Sequence, residues 1–220
     1  MTRDAVQLEA SQQIAIDLLR ATRVLPVVTV DTAEQGVAIA RALLAGGLTA
    51  IEVTLRTPAA LDAIAAIKHE VPAIALGAGT VLNERQIEAA RSAGATFLVT
   101  PGTPAALAGH LAACGLPAIP GAATPSELIA LTSLGFRVAK LFPAAAIGGT
   151  ALIRALRGPL PDLLLCPTGG IHASEAPAYL AEKNVIAIGG SWMVSREWLA
   201  AGNFEAIEEA ASKARALAAT

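Results

Sequence analysis

Eight short apolar segments recur along the chain at a mean spacing of about 23 residues, each followed by an amphipathic stretch rich in alanine and leucine. The segments begin near Val24, Ala50, Ala73, Phe97, Pro117, Phe136, Asp162 and Val185. One strand, one helix and two tight loops fit this spacing, and nearly continuous apolar strands are typical of a parallel sheet with helices outside it. The repeat therefore predicts eight consecutive βα units.

The number of units favours one α/β fold, a single (β/α)8 TIM barrel. A doubly wound open sheet has the same alternation, but no glycine-rich dinucleotide fingerprint follows the first strand. No shift in composition marks a second domain, so we expect residues 1–220 to form one barrel domain. Within it we predict an extra N-terminal helix in 1–22, the barrel in 23–200 and a C-terminal helix in 201–220.

Composition and charge exclude several classes of protein. Hydrophobic residues make up 54% of the chain and charged residues 15%, whereas disordered chains are poor in the first and rich in the second. The net charge of −2 predicts binding neither to nucleic acid nor to an anionic membrane. The uncharged residues 92–126 contain ten glycines and prolines, so no transmembrane helix is expected there. An acidic N-terminus unlike a signal peptide and the widely separated Cys114 and Cys166 predict a cytoplasmic protein.

Two charged residues stand inside predicted strands that are otherwise apolar. Lys140 lies within the segment 137–143, whereas the other three lysines lie on helices or in a polar turn. Glu52 is the one carboxylate in a strand interior, and the alternation of strand side chains puts it on the same face as Thr54 and Arg56. Chemistry in such barrels takes place at the carboxyl ends of the strands. Lys140, Glu52 and Arg56 are therefore candidate active-site residues.

Two interpretations of Lys140 and Glu52 follow from the cost of burying a charge. In the first, they form a structural ion pair, as a non-catalytic module that binds a phosphorylated acid would require. In the second, Lys140 is a nucleophile, kept partly neutral by burial and by nearby Arg56, that forms an imine with a ketone beside Glu52. Arg23, just before the first strand, is either structural or a ligand of the substrate carboxylate.

Glycine pairs close the last two predicted strands, at Thr168-Gly169-Gly170 and at Gly189-Gly190-Ser191. Barrels of this class commonly hold phosphate after their last two strands through backbone N–H groups. A single glycine is an ordinary turn residue, but two pairs at these positions predict binding of a phosphorylated small molecule.

No metal site or cofactor is predicted. The three histidines, His69, His110 and His172, are far apart, and neither an HxH nor an HExxH motif occurs. His69 and His110 are interpreted as surface or helix residues. His172 is interpreted as a residue near the rim, that is, near the carboxyl ends of the predicted strands, without a catalytic role. Cys166 is interpreted as a small core residue of the seventh strand.

Five sequence blocks between Val24 and Trp198 form a specific pattern in their order and spacing. They are EVTLR at 52–56, GAGTVLN at 77–83, TPG at 100–102, KLFP at 140–143 and CPTGG at 166–170. Together they resemble the 2-dehydro-3-deoxy-6-phosphogluconate (KDPG) aldolases, a family that includes bifunctional 4-hydroxy-2-oxoglutarate aldolases. The resemblance implies a class I lyase of the Entner–Doudoroff pathway that splits KDPG into pyruvate and glyceraldehyde 3-phosphate, usually as a homotrimer.

The resemblance also implies roles for individual residues. Lys140 matches the family's Schiff-base lysine, and Glu52 matches its general acid–base. Arg56 and Thr80 match positions that bind the pyruvate moiety and its carboxylate, and Pro101 shapes the same pocket. The matched positions that hold the rest of the sugar acid and its phosphate are Thr168, Gly169, Gly170, Gly189, Gly190 and Ser191.

Two departures from the family pattern bear on the preferred substrate. Thr100 and Ala145 stand near the rim, where members often have serine and an acidic residue. A 4-hydroxy-2-oxoglutarate aldolase would release glyoxylate and need no phosphate contact. An aldolase for the galactonate epimer would read the C4 stereocentre differently, near Thr168. Turnover on the three substrates separates these alternatives.

Overall fold

The computed structural model describes residues 3–217, in which helices and parallel strands alternate along the chain. The strands are β1 (Val24–Val28), β2 (Ala50–Thr54), β3 (Ala75–Gly79), β4 (Phe97–Val99), β5 (Ala118–Ile119), β6 (Gly121–Ala122), β7 (Val138–Leu141), β8 (Leu164–Pro167) and β9 (Ile188–Gly190). The helices are α1 (Arg3–Thr22), α2 (Ala33–Ala45), α3 (Ala60–Glu70), α4 (Glu84–Ala93), α5 (Ala105–Ala113), α6 (Pro125–Ser133), α7 (Gly149–Arg157), α8 (Ala176–Leu180), α9 (Arg196–Ala200) and α10 (Phe204–Leu217). The predicted terminal helices are present as α1 and α10, and the outer ends of their predicted ranges, 1–2 and 218–220, lie outside the described residues.

The strands form two curled parallel sheets, one of six strands in the order β5-β4-β3-β2-β1-β9 and one of three in the order β6-β7-β8. The predicted alternating parallel α/β fold is confirmed. The hydrogen-bond pattern divides the strands between two sheets, whereas one closed sheet of eight strands was predicted. The predicted fifth strand is interrupted at Pro120, between β5 and β6, because proline has no N–H to donate to a ladder.

Helix ends follow the side-chain chemistry of the turns that precede them. Thr32 accepts a hydrogen bond from the backbone N–H of Gln35, which starts α2. Thr124 and Glu127 form a capping box at the start of α6, with proline at the first helical position. These caps fix where α2 and α6 begin after their strands.

The first helix packs across the amino ends of the strands. Its Ala15, Ile16 and Leu19 are buried in one cluster with residues of the strands, including Phe97 and Val138. The cluster closes this end of the fold with apolar side chains.

Gln12, also on α1, extends the closure with hydrogen bonds. It is fully buried, donates to the carbonyl of Ala118 at 2.9 Å and accepts from the backbone N–H groups of Arg137 and Val138 at 3.0 and 3.3 Å. These are the starts of β5 and β7, so α1 lies at the end of the sheets opposite to the carboxyl ends of the strands.

Arg23 has a structural role in this arrangement. Its backbone is left-handed, with φ of 55°, and its guanidinium donates to the carbonyls of Leu180, Val185 and Ile186 at 3.2, 3.3 and 2.8 Å. The side chain therefore ties β1 to the segment that leads into β9, and the interpretation of Arg23 as a carboxylate ligand is not supported.

Among the described helices, none is both long and apolar enough to cross a membrane.

Candidate active site

Lys140 and Glu52 meet inside the fold, one from β7 and the other from β2. The Lys140 Nζ lies 3.1 Å from the Glu52 Oε1, and the exposed fractions of the two side chains are 5% and 1%. Parallel pairing sets Lys140 beside Gly121 of β6 and Cys166 of β8. Because a buried charge is stable only with a partner, each side chain depends on the other for its place.

The surroundings of the pair restrict where its atoms can lie. The Lys140 Nζ lies 5.4 Å from the centre of the Phe142 ring, within the range of a cation–π contact. Gly79 faces the Glu52 carboxylate so closely that a Cβ at this position would overlap Oε1. The pair is therefore enclosed by an aromatic ring and by bare backbone.

Lys140 also borders a cavity of about 340 Å³ at the carboxyl ends of β1, β7, β8 and β9. The predicted site residues that line this cavity are Arg56, Lys140, Thr168, Gly169, Gly170, Gly189, Gly190 and Ser191. Half of the residues that line the cavity, including both glycine pairs, had thus been singled out in the sequence. A volume of this size suits a small metabolite.

Three predicted residues do not line the cavity described by residues 3–217. Glu52 contacts the amine of Lys140. Thr80 and Pro101 follow β3 and β4 and are half-buried. Thr80 has a φ of 59°, a backbone conformation that a β-branched residue rarely adopts. The cavity extends over the ends of β1, β7, β8 and β9, whereas Thr80 and Pro101 follow other strands.

The three residues predicted to share one face of β2, Glu52, Thr54 and Arg56, lie in three different environments. Glu52 and Thr54 are buried, whereas Arg56 beyond the strand end is exposed and lines the cavity. The Thr54 hydroxyl donates to the carbonyl of Val28 at 3.0 Å and lies 2.9 Å from the Thr29 hydroxyl. Thr29 itself lines the cavity, so Thr54 holds a wall residue in place.

Sequence reasoning did not single out Thr29, Phe142 or Arg196, which also line the cavity. Strand alternation could have found Phe142, since it stands two positions after Lys140. Arg196 begins α9, beyond the last strand, and the search for charges inside strands did not reach it.

The charges around the cavity are mostly positive. Arg56, Lys140 and Arg196 line it, and within the described part of the chain the one carboxylate in contact with them is Glu52, paired with Lys140. Among residues 5–217, neither arginine has an ion-pair partner. The cavity therefore suits an anion with more than one negative group.

Cys166 and the three histidines are not part of the set of charged residues at the cavity. Burial raises the pKa of the Cys166 thiol to about 12; the negative charge of Glu52 adds to the increase, and the positive charge of Lys140 opposes it. Such a thiol is not reactive at neutral pH, which agrees with its interpretation as a core residue. The exposed His172 lies beside the rim but does not line the cavity. No cluster of metal-ligating side chains occurs in the described part of the chain.

Comparisons with known proteins agree over nearly the whole chain. Residues 15–210 match the family "KDPG and KHG aldolase". The "2-dehydro-3-deoxy-phosphogluconate aldolase" of Treponema pallidum is 44% identical over 191 residues, which cover 87% of this chain and 91% of the relative. The "KHG/KDPG aldolase" of Escherichia coli K12 is 43% identical over 200 residues, 91% of this chain and 94% of the relative.

Two solved structures share both the fold and much of the sequence. The Legionella pneumophila KDPG aldolase, with pyruvate captured as a covalent carbinolamine intermediate, has a TM-score of 0.88 and 37% identity over 90% of this chain and 96% of that one. The Zymomonas mobilis 2-keto-3-deoxy-6-phosphogluconate aldolase with 3-phosphoglycerate has a TM-score of 0.86 and 38% identity over 92% and 95%.

Proposed function

This chain belongs to the family of KDPG and KHG aldolases, and we propose that Lys140 is its Schiff-base lysine. The chain is a class I aldolase that cleaves KDPG to pyruvate and D-glyceraldehyde 3-phosphate, the aldol step of the Entner–Doudoroff pathway. In this class the substrate ketone forms an imine with a protein lysine, and the protonated imine withdraws electrons in the way that a metal-bound carbonyl does in other aldolases. The observation that carries the proposal is the 3.1 Å pair of Lys140 and Glu52 beside a cavity.

The first half of the reaction forms an imine. A proton leaves Nζ of Lys140, and the Glu52 carboxylate is within hydrogen-bond distance to accept it. The neutral amine attacks the C2 ketone to form a carbinolamine. Glu52 then gives its proton to the carbinolamine hydroxyl, which leaves as water, so that a protonated imine and a free Glu52 carboxylate result. The positive nitrogen then withdraws electrons from the bond between C3 and C4.

The second half breaks and remakes bonds at C3. Glu52, directly or through a water molecule, takes the proton of the C4 hydroxyl, and the C4 oxygen forms the carbonyl of the aldehyde product. The electron pair of the C3–C4 bond moves to the imine, which becomes an enamine. Glu52 returns a proton to C3, and water hydrolyses the resulting imine to free pyruvate and Lys140.

The remaining residues bind and orient the substrate. We assign the C1 carboxylate to Arg56, whose guanidinium can hold a carboxylate through two parallel hydrogen bonds and place C2 over Lys140. We assign the pyruvate moiety also to Thr80 and Pro101. The distal hydroxyls and the phosphate are assigned to Thr168, Gly169, Gly170, Gly189, Gly190 and Ser191, which supply hydroxyl and backbone donors along one wall.

Borohydride trapping with pyruvate tests the lysine assignment. Reduction of the imine leaves a stable adduct, and peptide mass spectrometry should place a single adduct on Lys140. Lys140→Ala should give no adduct and no measurable turnover, whereas Lys183→Ala, which removes an exposed lysine, should behave like the wild type. Glu52→Gln should still form the adduct but turn over slowly. Wild-type turnover by Lys140→Ala would refute the assignment.

The same site fits 4-hydroxy-2-oxoglutarate as a second substrate. The Escherichia coli relative carries both activities in its name, "KHG/KDPG aldolase". Imine formation and cleavage need only the 2-oxo acid and a C4 hydroxyl, which this substrate also has. Measuring kcat/KM on KDPG, on its galactonate epimer and on 4-hydroxy-2-oxoglutarate ranks the three activities.

We further propose that the two sheets are halves of one closed eight-stranded barrel in a single domain. Pro120 alone separates β5 from β6, and its carbonyl accepts a hydrogen bond from the Lys140 N–H at 2.8 Å. At the other junction, isolated parallel bridges join Leu165 to Val185 and Thr168 to Gly189. A crystal structure that left β8 and β9 unpaired would contradict this proposal.

A homotrimer in the cytoplasm is also proposed. Large apolar side chains on α1 and α6 are about half exposed, namely Val6 and Ile14 on the first and Ile129 on the second, and such side chains are available for burial between subunits. Both cysteines are free thiols, which is typical of a reducing compartment. Sedimentation equilibrium should give the mass of three chains, and cell fractionation should recover the protein with cytoplasmic enzymes.

A further inference from the structure

Arg196 is a cation of the cavity wall that the assignments above leave unused. It is the first residue of α9 and is exposed, and it lines the same cavity as Lys140. Leu199, one helical turn further along α9, lines the cavity as well. The same face of α9 is therefore presented to the cavity by both residues.

The segment that carries Arg196 is held in place on both sides. Met193 is fully buried, and the Val194 N–H donates to the carbonyl of Ser191 at 3.0 Å. The Ser195 hydroxyl accepts from the Trp198 N–H at 3.2 Å, which fixes the start of the helix. The backbone of Arg196 thus has a defined position only five residues beyond the Gly189–Ser191 rim.

Among the described residues, the guanidinium of Arg196 has neither a hydrogen-bond nor an ion-pair partner. Within residues 5–217, no carboxylate lies within ion-pair distance of it, whereas four other arginines (Arg20, Arg41, Arg91 and Arg154) pair with acidic side chains. Arg56, on the other side of β1 from β9, is the second unpaired guanidinium of the cavity. Two unpaired guanidiniums match a substrate that carries two separate anionic groups.

The two ends of KDPG divide naturally between these cations. The C1 carboxylate must lie near Lys140 and Arg56, because C2 bonds to the lysine. The phosphate lies at the opposite end of the six-carbon chain, where the glycine rim and Arg196 remain. We propose that Arg196 binds the substrate phosphate and sets the preference of this enzyme for phosphorylated over unphosphorylated acids. This inference rests on the proposed aldolase function and adds a specificity residue to it.

The expected effect is confined to phosphorylated substrates. Removing one charged hydrogen-bond donor from a phosphate at an exposed site lowers kcat/KM by roughly 10- to 100-fold. The same removal has no effect on 2-dehydro-3-deoxygluconate, which differs from KDPG only in lacking the phosphate. The ratio of the two kcat/KM values therefore measures the contribution of Arg196.

The test compares Arg196→Gln, Arg196→Lys and the control Arg85→Gln on both substrates. Arg85 is likewise an exposed arginine in the first turn of a helix, and it does not line the cavity. Arg196→Gln should lower the ratio about tenfold or more, Arg196→Lys should restore part of it, and Arg85→Gln should leave it unchanged. An unchanged ratio in Arg196→Gln, or an equal loss on both substrates, would overturn the proposal.

A binding measurement separates failure of this inference from failure of the aldolase assignment. Wild type and Arg196→Gln are titrated with 3-phosphoglycerate and with glycerate, neither of which needs to be cleaved. Weaker binding of 3-phosphoglycerate alone by the variant supports the phosphate contact even if turnover is absent. Equal binding by both proteins refutes the contact, while borohydride trapping of pyruvate on Lys140 still tests the aldolase function independently.

Discussion

A single methyl group at residue 79 should separate proton transfer from imine formation. Gly79 ends β3, and a Cβ built there would lie 2.6 Å from Cγ and 2.7 Å from Cδ of Glu52, and closer still to Oε1. Oε1 is the same atom that accepts from Nζ of Lys140 at 3.1 Å. Gly79→Ala therefore pushes on the proposed general acid–base without changing any group that reacts.

The size of the effect follows from these distances. Ordinary contacts of a Cβ begin at 3.4 Å, so the Glu52 side chain must move by most of an ångström. A displacement of ~1 Å in an active site lowers turnover by ~10²-fold, equivalent to ~2.7 kcal/mol in the barrier. Overpacking also lowers the free energy of unfolding by about 1–3 kcal/mol, which is less than the roughly 5–15 kcal/mol of an ordinary domain, so we expect the variant to fold.

The assay combines turnover with trapping. Gly79→Ala should show a kcat reduced by ~10²-fold while borohydride still attaches pyruvate to Lys140. The control is Gly77→Ala on the same strand, whose Cβ would overlap the Phe97 ring instead of the carboxylate. It should lose stability without a matching loss of kcat. Wild-type kcat in Gly79→Ala, or an equal loss of kcat in Gly77→Ala, would refute the reasoning.

Three further predictions follow from contacts outside the reacting pair. Iodoacetamide at pH 8 should label Cys166 only after unfolding, because burial raises the pKa of this thiol to about 12; peptide mass spectrometry reads out the label. Gln12→Ala should lower the free energy of urea unfolding by about 1–3 kcal/mol, since it leaves buried backbone groups without partners, and should leave kcat unchanged because Gln12 lies at the other end of the strands. The backbone N–H groups of Ala123 and Thr124 lower the pKa of the Glu127 carboxyl. A carboxyl with a lowered folded-state pKa stabilises the protein above the unfolded-state pKa, so wild type should be more stable than Glu127→Gln by about 0.5 kcal/mol at neutral pH, because the carboxyl is exposed and screened by solvent. This stability difference should shrink as the pH falls below about 4.3.

Each of these predictions has a clear contrary result. Rapid labelling of Cys166 in the folded protein would mean that the thiol reaches solvent. A Gln12→Ala protein with lowered kcat and unchanged stability would place the residue in the site rather than at the closed end. A stability difference for Glu127→Gln that stays constant through acid pH would show that the carboxylate contributes nothing through its charge.

The sequence was sufficient for the order of the fold because apolar runs and helix caps are local signals. The predicted strand starts at Val24, Ala50 and Phe97 coincide with those of β1, β2 and β4. Sheet pairing is not local. It depends on which N–H and C=O groups meet between distant segments, and Pro120 interrupts the predicted fifth strand by lacking an N–H.

Candidate site residues could be predicted from the sequence where a charged side chain stands inside an apolar strand. Lys140 and Glu52 stood out because a charge inside an apolar strand needs an explanation, and the structure brings the two together. Arg196 gave no such signal, since an arginine at the start of a helix after a turn is ordinary. Its place on the cavity wall depends on how the turn after β9 folds back, which no local pattern encodes.

The two interpretations of Lys140 and Glu52 describe one pair at different stages of the proposed reaction. Without substrate, the 3.1 Å contact is an ion pair that orients the buried amine against the carboxylate. A purely structural pair could be replaced by apolar side chains of similar volume with little loss of stability. Here the lysine opens onto a cavity with two further guanidiniums, Arg56 and Arg196, so an incoming anion meets the amine at the point where the carboxylate can accept its proton. The ion pair thus holds the nucleophile in readiness, and the reaction begins when that proton moves to Glu52.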